Sequence, residues 1–454
     1  MTQDTNTVVR FAPSPTGYLH IGNARTALFN ALFALKTGGQ FVLRLDDTDT
    51  ARSTQEFADT ILGDIAWLGI QVDRQEKQSA RMKRYDGVRD ELKAKGLLYA
   101  CYETAEELDY KRKRQMALGK PPVYDRTGLN LSDEERKELE AEGRTPHWRF
   151  KLTGKRVEWN DLCKGAQTID TASQSDPVLI REDGSYLYTL PSIIDDIDFG
   201  ITHVIRGEDH VSNTGTQIEI FEALGASAPN WGHHNLLIAA DGSALSKRHG
   251  SLSLKALRED GTQAMAVASV ATLVGTSMAI APRENLAALA EDFDLLKVSS
   301  GPARFEPKQI ADFSAQMVHA LEPADVADTL TSLGIPSDVQ AELWLAVRKN
   351  CDAPKDAKAW WDMLNADSVE SDLESDDVAY VQSAIAHLPE GEIASETWSE
   401  WTGALKGETG RKGKALFMPL RKALTGQERG PEMGPVIVLL GRQKVLDRLQ
   451  EAAD

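Results

Sequence analysis

Apolar positions along the chain change their period several times, and each change marks an element. Val8 to Phe11 is a short strand-like run, and Pro13, Pro15 and Gly17 turn the chain out of it. Ile21, Ala24, Leu28, Leu32 and Leu35 then recur at steps of three or four, which predicts a helix with one apolar stripe. Gly38 and Gly39 end it, and Gln40 to Leu45 reads as a second strand. Strand, loop, helix and strand make a βαβ unit whose helix starts at the carboxyl end of the sheet. A second helix follows, with Phe57, Ile61, Ile65 and Leu68 on one face and Ser53 or Thr54 as its cap. Residues 80–95 read as a third, ended by Gly96.

From Leu97 to about Asp176 the texture turns polar and turn-rich, as in KPPVYDRTG and LSDEERKELEAEGRTP. This predicts an insertion, after which the α/β signal resumes with PVLIREDGSYLYTLPSIIDD. Residues 193–208 read as sheet material and 214–224 as a helix. The chain is mainly helical from Ser253. Beyond Phe305 it reads as an all-α bundle with Trp344, Trp360 and Trp361 as core anchors and SVESDLESDD as an acidic loop or linker.

The first helix start carries chemistry. His20, Gly22 and Asn23 sit where free backbone N–H groups and the positive dipole end attract phosphate. Gly22 allows close approach of a ligand, and His20 offers hydrogen-bond donors. Standing alone, a His-x-Gly at this place would read as a helix cap.

Composition narrows the class. A chain of 454 residues suits about three domains or more. Hydrophobic content of 41% and charged content of 26% are those of a globular protein, and no apolar run approaches the ~18 residues of a membrane helix. Three well-separated cysteines, Cys101, Cys163 and Cys351, imply no disulfide framework, and with an N-terminus that lacks a targeting pattern they fit a cytoplasmic setting. A net charge of −18 opposes indiscriminate nucleic-acid binding and confines any RNA contact to local basic patches.

The segment PSPTGYLHIGNARTALFN resembles the HIGH-type signature of class I aminoacyl-tRNA synthetases, with Asn23 in its last position. Residues 244–251, ALSKRHGS, resemble the second signature of that class, KMSKS. APSPTG before the histidine, ART after it, and VIRGEDH at 204–210 are similar to bacterial-type glutamyl-tRNA synthetases, and the similarity runs over essentially the whole chain. The resemblance implies a Rossmann-type α/β catalytic domain in two halves, 1–96 and 177–252, the second carrying the KMSKS-type loop. An acceptor-stem-binding module is inserted at 97–176. An all-α stem-contact region at 253–304 and a helical anticodon-binding bundle at 305–454 follow.

The implied activity is ATP-dependent attachment of L-glutamate to tRNA(Glu) through a glutamyl-adenylate. Such chemistry needs fixed positive charge and donors around the phosphates, more than a proton-transfer pair. His20, Asn23 and Lys247 are the expected catalytic residues. Gly22, Asp209, Leu237, Ser246, Lys247 and Arg248 are the expected ATP contacts, with Mg²⁺ arriving on the phosphates. Arg10, Ala12, Ser14, Asp46, Tyr188 and Arg206 match glutamate-binding positions, the arginines being suited to a carboxylate by their planar fork. Asp46 stands where many family members carry Glu, a feature shared with glutaminyl relatives. The two arginines and the helical C-terminal region favour glutamate.

Arg52, Arg411, Lys412, Lys414, Arg421 and Lys422 are the expected tRNA contacts, and the basic run 111–114 is either another or a solvated helix face. Family members often hold zinc in the insertion through closely spaced cysteines. Here Tyr102 and Glu103 follow Cys101 and the YDRTG turn has no cysteine, so no zinc is expected. A monomer without membrane association is expected. Left open are a non-discriminating form that also glutamylates tRNA(Gln), a glutaminyl-tRNA synthetase, and a silent RNA-binding paralogue.

Overall fold

A computed structural model of the chain describes residues 7–243, 245 and 253–454. The chain falls into two compact units, Met1–Glu259 with Ala264–Pro307, and Asp260–Gln263 with Lys308–Asp454.

In the first unit the opening βαβ forms as its pattern dictates: β1 (Val8–Phe11), α1 (Ile21–Thr37) and β2 (Gln40–Leu45). Ile21, Ala24, Leu28 and Leu32 face the core, and Gly38 takes the left-handed conformation (φ 70°) that stops the helix. Gly39 has no alternative, since a Cβ there would lie 2.4 Å from the Thr7 carbonyl oxygen. Next come α2 (Gln55–Trp67), capped by Thr54, then β3 (Arg74–Lys77) and α3 (Met82–Ala94), with Gly96 left-handed beyond it.

The chain then builds β4 (Leu98–Cys101), α4 (Ala105–Ala117), α5 (Asp133–Ala141), β5 (His147–Phe150), β6 (Arg156–Asp161), β7 (Gly165–Asp170) and β8 (Val178–Ile180). Afterwards it returns through α6 (Thr189–Asp198), β9 (His203–Gly207), α7 (Val211–Ala223) and β10 (Asn230–His234). The main sheet runs β10-β9-β1-β2-β3, all parallel. Its order reverses between β1 and β9, which makes their carboxyl ends the crevice where an open α/β sheet binds ligands. The strands β4, β5 and β8 form a separate antiparallel sheet, and β6 and β7 a hairpin.

One expectation needs correction. Residues 193–198 are not sheet but the second half of α6. Leu190, Ile193, Ile194 and Ile197 recur at helical spacing, and Asp195 and Asp196 are buried among them. The apolar run at 178–180 does not rejoin the main sheet; β8 pairs with β5, because three apolar residues fit either sheet.

The unit closes with β11 (Leu237–Ala239), α8 (Leu254–Asp260), α9 (Ala264–Leu273), α10 (Leu286–Asp292) and β12 (Ala303–Phe305), β11 and β12 being a parallel pair. Arg25 of α1 is fully buried and donates to the Ala271 and Val274 carbonyls, tying α1 to the end of α9. A guanidinium suits the carbonyl-rich C-terminus of a helix.

The second unit is helical: α11 (Pro307–Ala320), α12 (Pro323–Ser332), α13 (Gln340–Val347), α14 (Ala357–Asn365), α15 (Ser375–Ala386), α16 (Thr397–Thr409), α17 (Lys414–Thr425) and α18 (Met433–Ala453). Its core holds Trp344 and Trp401 fully buried, while Trp360 and Trp361 pack against it half-exposed. Buried Arg448 donates to carbonyls of Met363, Leu424 and Ala366 at helix ends. The acidic stretch remains a loop to Glu374, after which Asp376 and Asp377 lie in the first turn of α15, where negative charge is favourable. Among the described residues no helix is long and apolar enough to cross a membrane.

Candidate active site

The α1 start is built by reciprocal capping. His20 Nδ1 accepts from the Gly22 amide at 3.0 Å, and Asn23 Oδ1 accepts from the His20 amide at 3.0 Å. With Nδ1 committed as acceptor, the ring proton belongs on Nε2, leaving an exposed histidine with a donor aimed away from the helix. Gly22 makes room for this ring: an added Cβ would sit 2.9 Å from His20 Cε1. The glycine thus serves the histidine's placement directly.

Ser246, Lys247 and Arg248 lie outside the described residues. The chain just beyond them is described, and it is fastened to the first signature. Ser253 forms an antiparallel bridge with His20, and the Leu254 amide donates to the Leu19 carbonyl at 2.8 Å. Lys255 lies over the Tyr18 ring, 4.8 Å from its centroid.

The β1–α1 loop carries Ala12, half-buried, and Ser14, exposed. It is joined to β2 by the Asp46 amide, which donates to the Pro13 carbonyl at 3.0 Å. Beneath it lies a balanced charge cluster. Arg44 grips Asp46 through two bonds, at 2.6 and 3.1 Å, and reaches Asp196 at 2.8 Å. Arg10 pairs with Asp196 at 3.3 Å, and Arg81 with Asp195 at 2.6 Å. Tyr85 and Gln78 also donate to Asp195. Arg10, Arg44, Asp195 and Asp196 are buried and Asp46 and Arg81 partly so, Arg81 also pairing with Asp198; opposite charges matched in this way are how buried charges are tolerated.

Arg206, at the end of β9, is different. It is 7% exposed, yet it has no acidic partner within ion-pair distance among the described residues. Its Nε donates to His233 Nε2 at 3.1 Å and its Nη2 to Thr214 Oγ1 at 2.9 Å, and the guanidinium lies over the Trp231 ring. Burial, with the like charge of Arg10, lowers its pKa to about 9. Tyr188 flanks it at the start of α6, its hydroxyl accepting from Asn213 at 2.6 Å and its ring set edge-on to His210. An uncompensated buried cation facing a crevice is a site for an anion.

Asp209 is exposed in the turn after β9, and Leu237 is buried at the start of β11. Arg52 is exposed and paired with Asp49 at 2.6 Å. In the insertion Lys111 is turned to Glu103, Asp125 and Thr127, and Lys113 to Asp109, so this basic run is largely neutralised. In the helical unit Arg411 pairs with Asp377 and Lys422 with Glu428, while Lys412 and Lys414 are exposed. Arg421 donates to the Pro431 carbonyl and lines a cleft of about 540 Å³ with Trp398, Phe417, Glu432, Met433 and Pro435.

Strand pairing sets His147 opposite Cys101, and with Glu103 they place three ligand-type atoms within 4.8 Å of one another. The sequence separation of Cys101 and His147 hid this grouping. Its surroundings are cationic and already bonded. Arg149 donates to His147 Nε2, Tyr124 donates to Cys101 and Glu103, and Lys111 pairs with Glu103. Burial pushes the Cys101 thiol up to about 11, whereas a metal needs the thiolate.

Sequence reasoning missed Asp161, His233, Thr214, Arg44 and the pair Asp195–Asp196. The only available signal was acidic residues inside apolar runs, as in SIIDDID, which suggests buried and therefore partnered charge.

Comparison with known proteins accords with this geometry. Residues 6–312 match the family described as tRNA synthetases class I (E and Q), catalytic domain, and residues 355–453 match the anticodon binding domain. The chain is 54% identical over 445 residues to glutamate–tRNA ligase 2 of Hyphomonas neptunium, covering 98% of this chain and 100% of that one. It is equally similar, at 54%, to glutamate–tRNA ligase 1 of Maricaulis maris, covering 98% and 99%. Among solved structures, a glutamate–tRNA ligase from Elizabethkingia meningosepticum in complex with its amino acid is 26% identical, with a TM-score of 0.84 and 99% coverage of both chains.

Proposed function

Because the chain belongs to the class I tRNA synthetases for Glu and Gln, we propose that it is a ligase attaching L-glutamate to tRNA(Glu) at the expense of ATP. The observation that carries the choice of amino acid is Arg206, a buried guanidinium without a counter-ion among the described residues, with its Nε and Nη2 edge already fixed by protein acceptors. A substrate side-chain carboxylate supplies the missing charge, and an amide does not. Asp46, at the end of β2, is the anionic group available to the substrate ammonium, and Tyr188 closes the crevice from α6.

In the first step the α-carboxylate oxygen of glutamate forms a bond to the α-phosphorus of ATP, and the bond to the leaving pyrophosphate breaks. His20 Nε2–H and the α1 N-terminus offer donors to the phosphates, Asn23 holds His20 in place, and Lys247 supplies a cation from the second signature. In the second step a terminal ribose hydroxyl of tRNA attacks the adenylate carbonyl, and AMP leaves with the bonding pair. Mg²⁺ accompanies ATP, held mainly by phosphate oxygens.

At the far end of the chain, the cleft with Trp398, Phe417 and Arg421 suits unstacked bases, offering aromatic faces and a planar cation. Exposed Lys412 and Lys414 supply phosphate contacts beside it. The deciding experiment is aminoacylation of purified tRNA(Glu) and tRNA(Gln) with radiolabelled glutamate or glutamine, side by side. Glutamate on tRNA(Glu) is the expected product, and glutamate on tRNA(Gln) as well would define a non-discriminating enzyme. Preferential use of glutamine would overturn the reading of Arg206.

A further inference from the structure

The partners of Arg206 form a chain of fixed polarity that begins in the inserted hairpin. Asp161, the last residue of β6, is fully buried. Its Oδ1 accepts from the backbone amides of Cys163 (3.0 Å), Lys164 (3.1 Å) and His233 (3.0 Å). Its Oδ2 lies 2.5 Å from His233 Nδ1. Burial alone would raise this carboxyl, but the His233 bond and the backbone donors outweigh it and hold the pKa down at about 2. An ionised carboxylate only accepts, so the His233 proton sits on Nδ1. The other nitrogen, Nε2, therefore presents a lone pair, and both groups facing it can donate: Arg206 Nε at 3.1 Å and Thr214 Oγ1 at 3.1 Å. Trp231 stacks parallel to the imidazole, with 11° between the planes, and carries the guanidinium on its face.

We propose that Asp161 and His233 are positioning residues for glutamate binding: Asp161 sets the His233 tautomer, and His233 in turn orients Arg206. The inference rests on Arg206 as the partner of the substrate side-chain carboxylate. It gives the inserted hairpin a task in amino-acid recognition. With Nε spent on His233 and Nη2 on Thr214 and the His210 carbonyl, Arg206 is turned so that Nη1 is the donor group left for the ligand. The two Nη1 protons are the donors offered to the substrate carboxylate, in charge-assisted hydrogen bonds.

The discriminating variant is Asp161→Asn. Three backbone N–H groups claim the amide oxygen, so the amide NH₂ faces His233 Nδ1. The imidazole must then carry its proton on Nε2, donor against donor with Arg206. Glutamate KM at saturating ATP and tRNA should rise about tenfold or more, with ATP KM within about twofold of wild type. His233→Gln, which keeps an acceptor for Arg206, should lie closer to wild type than His233→Leu, which keeps none. Thermal melting and ATP binding by calorimetry accompany each variant.

The proposal is overturned if Asp161→Asn leaves glutamate KM unchanged, if it moves the glutamate and ATP KM together, or if the Gln and Leu variants are equally impaired. Where Asp161→Asn does not yield folded protein, the His233 pair decides alone. Failure of the wild-type chain to charge tRNA with glutamate would instead refute the functional reading and is scored separately.

Discussion

Replacing Arg206 by methionine should abolish useful glutamate binding while making the empty protein more stable. The lowered pKa, from 12.5 to about 9 with burial as its first cause, measures what it costs to keep the guanidinium charged before substrate arrives. At ~1.4 kcal/mol per unit this is on the order of 5 kcal/mol. Methionine fills much of the arginine stem's volume and carries no charge, so part of that cost returns as stability. The bound state fares oppositely. A substrate carboxylate stripped of its buried partner costs about 3–5 kcal/mol, a factor of roughly 10² to 10³ or more in apparent affinity. Glutamate KM should therefore rise at least ~100-fold in aminoacylation assays at saturating ATP and tRNA, with Tm unchanged or raised. ATP binding by calorimetry should be preserved, because His20 and the α1 start are untouched. A glutamate KM within tenfold of wild type, or a Tm that falls together with ATP affinity, would refute the reasoning.

Further outcomes separate roles that share one side chain. His20→Asn should keep the helix cap, since asparagine accepts from a helix amide as well as any residue, yet cut ATP–pyrophosphate exchange by on the order of 100-fold through loss of the Nε2 donor; near-normal exchange would remove His20 from catalysis. Asp64 is buried in α2 beside Arg258 of α8, and burial, only partly offset by Arg258 and Lys255, raises its pKa to about 6. The folded state thus holds this proton more tightly than the unfolded chain, so stability is lost as pH rises from about 4 through 6. Asp64→Asn should stabilise the catalytic unit relative to wild type at pH 8 and much less at pH 4.5, by up to ~3 kcal/mol, and a Tm difference independent of pH would refute it. Elemental analysis of the purified protein should find no zinc, since Arg149, Lys111 and Tyr124 already engage the Cys101, Glu103 and His147 groups; one zinc per chain would show that these bonds give way.

What could be read from the sequence was what is local. β1, α1 and β2 were legible because their periods differ and because prolines and glycines mark the joins. The capping residues His20, Asn23 and Thr54 act within three positions of themselves, which is why a one-dimensional reading finds them. α6 was misread because Ile193, Ile194 and Ile197 suit a strand by composition, and only their spacing and the buried Asp195–Asp196 pair distinguish a helix. The run at 178–180 was legible as a return of the α/β pattern, but three apolar residues carry no record of their partner, which is β5. Asp161 and His233 lie 72 positions apart, and nothing local to either says that a histidine in NWGHHN is held by a hairpin carboxylate.

Asp46, where the family resemblance leads one to expect Glu, shows how the long-range part changes the meaning of a local difference. Judged by length alone, the loss of a methylene withdraws the carboxylate from the substrate ammonium. In the folded chain both Asp46 oxygens are fixed by Arg44, which is itself held by Asp196 and by the Ser192 carbonyl and hydroxyl. A short side chain gripped at two points has little freedom left to lose on binding, so in its proposed role Asp46 would meet the substrate ammonium as a preorganised anion. The same Asp196 also holds Arg10. One helix, α6, thereby anchors both Arg10 of β1 and, through Arg44, the carboxylate at the end of β2. Across the switch point Arg206 depends on a different support, the Asp161–His233 chain. The proposed amino-acid pocket thus stands on two hydrogen-bonded charge frameworks: one neutral within itself, and one left with a positive end that a glutamate side chain would complete.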